Sequence, residues 1–293
     1  MSYPFREIII IYNPNSTGPS KKNALDLQKE LKAKLSKTVR VITKGTKDAG
    51  HAEEIGAGYA KKDSKTLLVS SSGDGGYNEL VNGVLQHKTN HVTVAVMPSG
   101  NANDHHHATA TDDLGARIIA GKTHKIDVIG VNATKEGKPW KHYAHSYVGL
   151  GMTAYIGEKL TKADLNPWNE KWMVIKYMLK FSHVTLKLGD AEQWKRYSNV
   201  IFGNIDRMSK VIKLSDKTEL SDGKFEVYSS TTGELLSYLL KGVSVGLEAK
   251  HRASSFKVTA KRSYQIQLDG EVFNIDSGKI HLKSVKNLLR TLL

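Results

Sequence analysis

Over roughly the first 130 residues, short apolar runs each end in a polar loop and alternate with helical patterns, and few folds accommodate that order. Ile8–Tyr12 is a continuous apolar run ended by Asn13-Pro14-Asn15-Ser16-Thr17-Gly18, so it reads as a buried strand entering a loop. Leu27, Leu31 and Leu35 then recur every fourth position with lysines between them, which predicts a helix that Ser20 can cap. Val39–Thr43 reads as a second strand, Ala49–Lys62 as a helix weakened by Gly56 and Gly58, and Thr66–Ser70 as a third strand. A helix over Asn78–Leu85 and a buried strand over Val92–Met97 complete the series. Strand and helix in strict alternation imply an α/β domain with a mostly parallel sheet.

From about Lys125 the texture changes to short β-branched or alternating runs, among them Ile126–Val131, Tyr143–Val148, Val184–Leu188 and Tyr264–Leu268. Turn signals such as Glu136-Gly137-Lys138 and Ser221-Asp222-Gly223 separate them, so a β-rich second domain follows, interrupted by a helical stretch near Leu165–Phe181. The 293 residues suffice for two domains, placed at 1–127 and 128–276. Leu282, Val285, Leu289 and Leu292 recur at helical spacing, which predicts a helix over His281–Leu293, and the segment from about 277 to 293 is expected to pack back on the first domain.

With no cysteine, disulfides, thiolate metal sites and cysteine nucleophiles are excluded, and a cytoplasmic location is expected. The apolar run at Ile8–Ile11 is too brief for a signal peptide, and Lys241 breaks the best candidate for a membrane span. Forty-three basic residues against 29 acidic ones give a formal charge of +14, which favours a polyanionic partner: nucleic acid, nucleotide phosphate or an anionic membrane.

The feature with most chemical content is Ser72-Gly73-Asp74-Gly75-Gly76, between an apolar strand and a helix. Glycines let backbone amides approach an anion, and the helix N-terminus adds unsatisfied N–H groups, so phosphate is the expected ligand. Asp74 would repel it unless a divalent cation intervenes, which suggests a nucleotide–Mg²⁺ site; a ligand-free Gly-Asp turn is the plainer alternative. The loop after the first strand and Pro98-Ser99-Gly100-Asn101-Ala102-Asn103-Asp104 after the fourth would share its sheet edge, because the carboxyl ends of parallel strands converge. His105, His106 and His107 diverge as neighbours in any regular element and read as a solvated loop, not a metal site.

The ordered set Asn13-Pro14…Gly18, Gly73-Asp74-Gly75-x-x-Asn78-Glu79-x-Val81-Asn82-Gly83 and Pro98-x-Gly100-x-x-Asn103-Asp104 resembles the diacylglycerol kinase catalytic domain, shared by bacterial diacylglycerol kinases and related to sphingosine kinases. Ile126-Asp127-Val128, Tyr147–Met152, Leu220-Ser221-Asp222-Gly223 and Leu268-Asp269-Gly270-Glu271 extend the resemblance over nearly the whole chain. It implies an NAD kinase-like or phosphofructokinase-like N-terminal domain and a β-rich sandwich C-terminal domain. It further implies that Ser72, Gly73, Asp74, Gly75, Gly76, Asn78, Glu79, Gly100 and Asn101 bind ATP and Mg²⁺, with Asn13 and Thr43 flanking the nucleotide. Asp104 and Asp127 would form a charge network with Asp74, and Glu271 would be the general base with Asp269 beside it. Asp222 with backbone carbonyls of Glu219 and Lys224 would hold a structural Mg²⁺. Without the family match, Asp269-Gly270-Glu271 is an ordinary hairpin turn.

The family's usual Gly-Gly-Asp-Gly-Thr has Ser72 at its first Gly and Gly76 at its Thr here, and Asn101 stands where the Thr after Gly100 is expected. The expected function is transfer of the γ-phosphoryl of ATP to a lipid hydroxyl, most directly diacylglycerol to phosphatidic acid. A sphingoid-base or other lipid kinase, an NAD kinase and a catalytically weak relative are the alternatives. Lys171, Lys176, Lys180 and Lys187 interleaved with Trp168, Trp172, Tyr177 and Phe181, and the cluster Lys250, Arg252, Lys257, Lys261 and Arg262, suit a peripheral contact with an anionic membrane or, more plainly, a solvated face. No recognition helix or zinc spacing supports a nucleic-acid partner, and a homodimer is left open.

Overall fold

The computed structural model describes residues 3–16, 18–87, 89–100, 102–109, 113–161, 177, 181, 183–208, 212–214, 218–234, 237, 241 and 244–293. The chain divides into two compact units, Met1–Asp127 with Lys286–Leu293, and Val128–Val285. The expected helix near Leu165–Phe181 lies almost wholly outside the described residues.

The first unit alternates β1 (Glu7–Tyr12), α1 (Ser20–Lys34), β2 (Arg40–Gly45), α2 (His51–Ala60), β3 (Thr66–Ser72), α3 (Asp74–Leu85), β4 (Val92–Pro98), α4 (Asp104–Thr109) and α5 (Leu114–Ala120). Its strands are parallel in the order β2-β1-β3-β4, and Thr291, near the end of the chain, lies parallel against Val94. Ile8–Ile11 and Leu67–Val69 are buried throughout, as strands covered on both faces must be, which is why they read as unbroken apolar runs. Leu27 and Leu31 of α1 and Ile118 of α5 pack on one of those faces.

Gly56 and Gly83 have a steric reason. A Cβ at Gly83 would lie 2.0 Å from the Glu53 carbonyl oxygen, and one at Gly56 would lie 2.6 Å from that of Leu80, so α2 and α3 cross backbone to backbone. Two local expectations fail in this unit. Ser20 does not cap α1, whose N-cap is Pro19 without a side-chain bond; its hydroxyl instead donates to the Ser71 carbonyl. His105 is not in a solvated loop but in α4, fully buried with its ring 5.4 Å from that of Tyr77.

The second unit carries most of β5 (His124–Lys135), then β6 (Lys138–Ala144), β7 (Tyr147–Gly151), α6 (Met152–Thr161), β8 (Val184–Leu188), β9 (Lys195–Gly203), β10 (Arg207–Met208), β11 (Ile212–Lys213), β12 (Phe225–Thr231), β13 (His251–Ala253), β14 (Ser255–Ala260), β15 (Tyr264–Leu268), β16 (Glu271–Ile275) and β17 (Gly278–Thr291), whose last residues belong to the first unit. Its pairings are antiparallel, following the path β16-β15-β7-β9-β8-β14-β17, with β12 on the other side of β9. The sheet folds over itself to close one apolar core: Phe202 of β9 meets Phe256 of β14 at 5.5 Å, and Trp140 of β6 meets Phe273 of β16 at 5.1 Å, although neither pair of strands is hydrogen-bonded. A parallel α/β unit followed by a strand-rich unit is the expected fold class.

The helix expected over His281–Leu293 is overturned, since Gly278–Thr291 is a strand. Residues 278–285 alternate, with Ile280, Leu282 and Ser284 buried and Lys279, His281 and Lys283 exposed, in register with β14. Asn287 then adopts φ 51° and shifts the phase, so that Leu289, Thr291 and Leu292 are the buried positions beyond it. A strand with one irregularity thus reproduces helical spacing.

The α2–α3 crossing distinguishes two substitutions of the same kind. Gly83→Ala should lower unfolding stability by about 1–3 kcal/mol through overpacking. Gly58, with open space around its Cβ position, should gain about 0.5–1 kcal/mol as Gly58→Ala. Urea titration checks both, and shifts of equal sign would contradict the crossing.

Candidate functional site

The loops after β1, β3 and β4 leave the same edge of the parallel sheet and are tied together by hydroxyls. The Ser71 hydroxyl donates to the Ser20 carbonyl at 2.8 Å and lies 3.0 Å from Ser99 Oγ, while Ser16 Oγ donates to the Ser99 carbonyl at 2.8 Å and Asn23 donates to Ser99 Oγ at 3.0 Å. Asn13 donates its amide to Ser20 Oγ, and its own Oδ1 accepts from the Asn15 amide. Gly73 and Gly100 bring the second and third loops into backbone contact: a Cβ on Gly100 would lie 2.3 Å from Gly73 Cα. Sequence reasoning missed Ser71 and Ser99 as the tie. Their signal was a small hydroxyl residue at the carboxyl end of a buried strand.

Asp74 begins α3, where no side chain caps Gly73 and the first turn leaves its amides without helical acceptors. Its carboxylate bridges to the third loop, taking the amides of Asp104 at 3.1 Å and His105 at 3.2 Å, the first turn of α4. One acidic side chain therefore fixes two helix starts side by side. Backbone N–H groups, a favourable dipole and glycine clearance at that point make a cradle for phosphate.

The remaining candidates of this unit divide. Gly75 and Gly76 lie in the first turn of α3, and Gly100 sits at the loop contact held by Asn103, whose Oδ1 accepts the Gly100 amide at 3.1 Å. Thr43 is half-buried near the end of β2. Asn78 is fully buried, its oxygens accepting from Asn82, and Glu79 turns away to hold the Gly50 amide at 3.0 Å, at the start of α2. Asn101 lies outside the described residues. Asp104 is buried and reaches Asp74 through its amide, whereas the buried Asp127 carboxylate accepts the Asn287 amide at 2.7 Å.

Ser72 and Gly76 are coupled. The Ser72 hydroxyl lies 2.7 Å from Ser70 Oγ and donates to the Gly73 carbonyl, and a Cβ at Gly76 would meet Ser72 Oγ at 2.8 Å and its Cβ at 2.9 Å. The side chain absent at 76 has its space filled from 72.

In the second unit, Asp269 and Gly270 form a two-residue hairpin between β15 and β16, both at positive φ (48° and 99°), with Glu271 paired to Leu268 across it. Glu271 is half-buried at the head of β16. The Asp269 carboxylate is fully buried and accepts three amides, His145 at 2.7 Å, Ser146 at 3.0 Å and Tyr147 at 2.8 Å. That grip explains why the run expected over Tyr143–Val148 is broken between β6 and β7. His145 Nε2 lies 3.3 Å from the same carboxylate, but burial pushes its pKa down to about 3, so the imidazole is neutral and the contact is no ion pair. Asp269 thus stands as a scaffold for the backbone beside Glu271.

The expected structural Mg²⁺ loop is arranged differently. Asp222 Oδ1 accepts the Lys224 amide at 2.8 Å, and its other oxygen is bonded by the Arg252 guanidinium, which also reaches the buried Glu226 at 3.1 Å. Burial pushes the Glu226 carboxyl up, and Arg252 opposes that shift. Glu219 stands near the start of this loop, and among the described residues no group of three His, Asp or Glu could hold a metal ion. The donors at Glu219, Asp222 and Lys224 do not fit a divalent cation as they stand, because the guanidinium already neutralises the one carboxylate of the turn.

Residues 7–131 match the family model described as the diacylglycerol kinase catalytic domain. The chain is 25% identical over 279 residues to a diacylglycerol kinase of Staphylococcus aureus, covering 89% of this chain and 85% of that protein. A crystal structure described as a diacylglycerol kinase of Bacillus anthracis superposes with TM-score 0.71 at 15% identity, covering 99% and 98% of the two chains. Yeast NADH kinase complexed with NADH superposes with TM-score 0.51 at 11% identity, over 98% and 83%. At those identities the structural likenesses are ones of fold, and they agree with the expected NAD kinase-like architecture.

Two measurements test the packing described above. Gly76→Thr alone should cost about 1–3 kcal/mol, and less than about 0.5 kcal/mol in a Ser72→Gly background, since the pair shares one volume. Equal costs in both backgrounds would refute the coupling. Arg252→Ala should lower unfolding stability by about 2 kcal/mol, leaving Glu226 buried without its cation, while a chelator leaves it unchanged. A chelator-sensitive unfolding midpoint would restore the metal at this loop.

Proposed function

Because residues 7–131 match the model of the diacylglycerol kinase catalytic domain, we propose that the chain transfers the γ-phosphoryl group of ATP to a lipid hydroxyl, with diacylglycerol, named in its curated relatives, as the acceptor. The observation that carries the reading is the junction at Asp74, where one carboxylate holds the start of α4 while standing in the first turn of α3. Amides of Gly75 and Gly76 bind and orient the nucleotide phosphates, and the Gly73–Gly100 contact keeps side chains out of their approach. Mg²⁺, when bound with the nucleotide, supplies the charge neutralisation that lets phosphate lie beside Asp74, the carboxylate that would hold it.

Glu271 serves as the base. Its carboxylate takes the proton of the acceptor hydroxyl as that oxygen bonds to the γ-phosphorus and the bond to the ADP oxygen breaks. Asp269 orients it by fixing the hairpin: it locks the turn from one side and residues 145–147 from the other, so that the base is carried on a rigid strand end. Phosphoryl transfer depends mainly on such positioning, which fits a site built of backbone amides and few charged side chains.

Incubation with γ-labelled ATP, Mg²⁺ and a panel of diacylglycerol, sphingoid base, ceramide and NAD tests the proposal. Labelled phosphatidic acid is expected from the wild type. Glu271→Gln should reduce its formation by about 100-fold or more with ATP binding retained, and Asp74→Ala should weaken ATP binding itself. Label in NAD would replace the reading with that of an NAD kinase, and ATP binding without any lipid product would reduce the chain to a nucleotide-binding relative.

A further inference from the structure

The geometry points to the outer face of the second unit's sheet as a docking surface for an anionic phospholipid bilayer. The register fixes which side chains share that face. Lys257 of β14 opposes His281 of β17, and Thr259 opposes both Lys279 of β17 and Lys187 of β8. Thr185, two residues before Lys187, opposes Arg196 of β9. Ser255 opposes Lys283, and two positions further along β17 Val285 meets the Cβ position of Gly130, which also faces Tyr143 of β6. Lys141, two before Tyr143, extends the face to β6. The inward partners on the same strands, Leu186, Val258, Ile280 and Leu282, are all buried in the core, so the alternation is unambiguous.

Six cations thus stand on one sheet surface: Lys141, Lys187, Arg196, Lys257, Lys279 and Lys283. Arg196, Lys279 and Lys283 are exposed, and among the described residues none of the six has an ion pair. On β6, β17, β14, β8 and the paired end of β9 the positions on this face include no carboxylate; Asp190 and Glu192 belong to the turn between β8 and β9, and Glu226 of β12, beyond β9, is held by Arg252. Surface lysines normally alternate with acids, and a face without them costs self-repulsion unless an external polyanion meets it.

The aromatic residues favour a bilayer over other polyanions. At one edge Lys187 Nζ sits 5.0 Å over the ring of the exposed Trp194, and near the other edge Lys141 Nζ sits 5.0 Å over the ring of Tyr143. Trp and Tyr beside lysine match the headgroup layer of a membrane, where amphipathic rings partition and cations neutralise anionic lipid. A second copy of the same face is disfavoured, because an isologous contact would oppose like charges. The cluster expected at Lys250, Arg252, Lys257, Lys261 and Arg262 is divided by the fold. Arg252 and Lys250 turn to Asp222 and Glu234, and Lys257 joins the face. Lys171, Lys176 and Lys180 lie outside the described residues.

The surface follows from register and charge, and rests on the lipid-kinase reading only for why the chain would need a membrane. The test therefore omits nucleotide and diacylglycerol. Co-sedimentation of the full chain with vesicles of phosphatidylcholine containing phosphatidylglycerol should show binding that is absent with phosphatidylcholine alone. Raising salt from about 0.1 M to about 1 M, which shortens the Debye length from about 10 Å to about 3 Å, should abolish it. Lys257→Glu/Lys283→Glu should weaken partitioning by about tenfold or more with an unchanged thermal midpoint. Lys29→Glu/Lys32→Glu on α1, with the same change in net charge, should bind as the wild type. Glu271→Gln should also bind as the wild type, which separates this inference from the catalytic one. Equal loss in both lysine pairs, no vesicle binding, or tighter binding to duplex DNA than to vesicles would each overturn the proposal.

Discussion

Backbone N–H groups left over where a regular element ends must find acceptors, and in this chain buried or half-buried aspartates supply them at three decisive breaks. Asp74 takes two amides at the start of α4, Asp127 takes that of Asn287 where β17 changes phase, and Asp269 takes three where β6 gives way to β7. Each acceptor is remote in sequence from its donors, by 30, 160 and 124 residues in the leading contacts. The aspartates therefore fix topology as well as local turns. A carboxylate is suited to this because its two oxygens can serve several donors at once and the charge strengthens each bond.

That economy changes how the motif residues are understood. The family resemblance assigns Asp74, Asp127 and Asp269 to chemistry or to a charge network, yet in each case the geometry first shows a structural hold on the main chain. The two roles reinforce each other at Asp74: by fixing two helix starts next to one another it builds the amide cradle that an anion needs. At Asp269 the same hold on the main chain fixes the hairpin after which Glu271, the proposed base, begins β16. Glu79 and Asn78 go the other way, since the first holds the start of α2 and the second is buried against Asn82.

The parallel half was legible because burial on both sheet faces writes unbroken apolar runs, as in Ile8–Ile11, and because Gly, Asn and Ser crowd the loops after them. What escaped were features defined by contacts remote in sequence. Ser20 looked like a cap because it precedes a helix, but its hydroxyl is claimed by Ser71. His105 looked solvated among histidines, but Tyr77 lies across it. Gly56 looked like a helix defect, but α3 passes where its side chain would be. At the chain's end, Leu282 and Leu289 matched a helix only because Asn287 resets a period of two. Local periodicity cannot separate one phase-shifted strand from a helix; the cross-strand register can.

The charge of +14 is similarly resolved by position. Some of it is spent internally, as at Arg252, which stands between Asp222 and Glu226 where the resemblance calls for a metal ion. A fixed guanidinium differs from a bound cation in that it arrives with the fold and cannot be lost to a chelator. Among the described residues the lysines of the outer sheet face have no such internal partner, and their alternation with buried Leu186, Val258, Ile280 and Leu282 means that the strands which build the core also array the charge. Because a one-residue slip in register would exchange those two sets, the pattern that stabilises the second unit is the same one that keeps its cationic face outward.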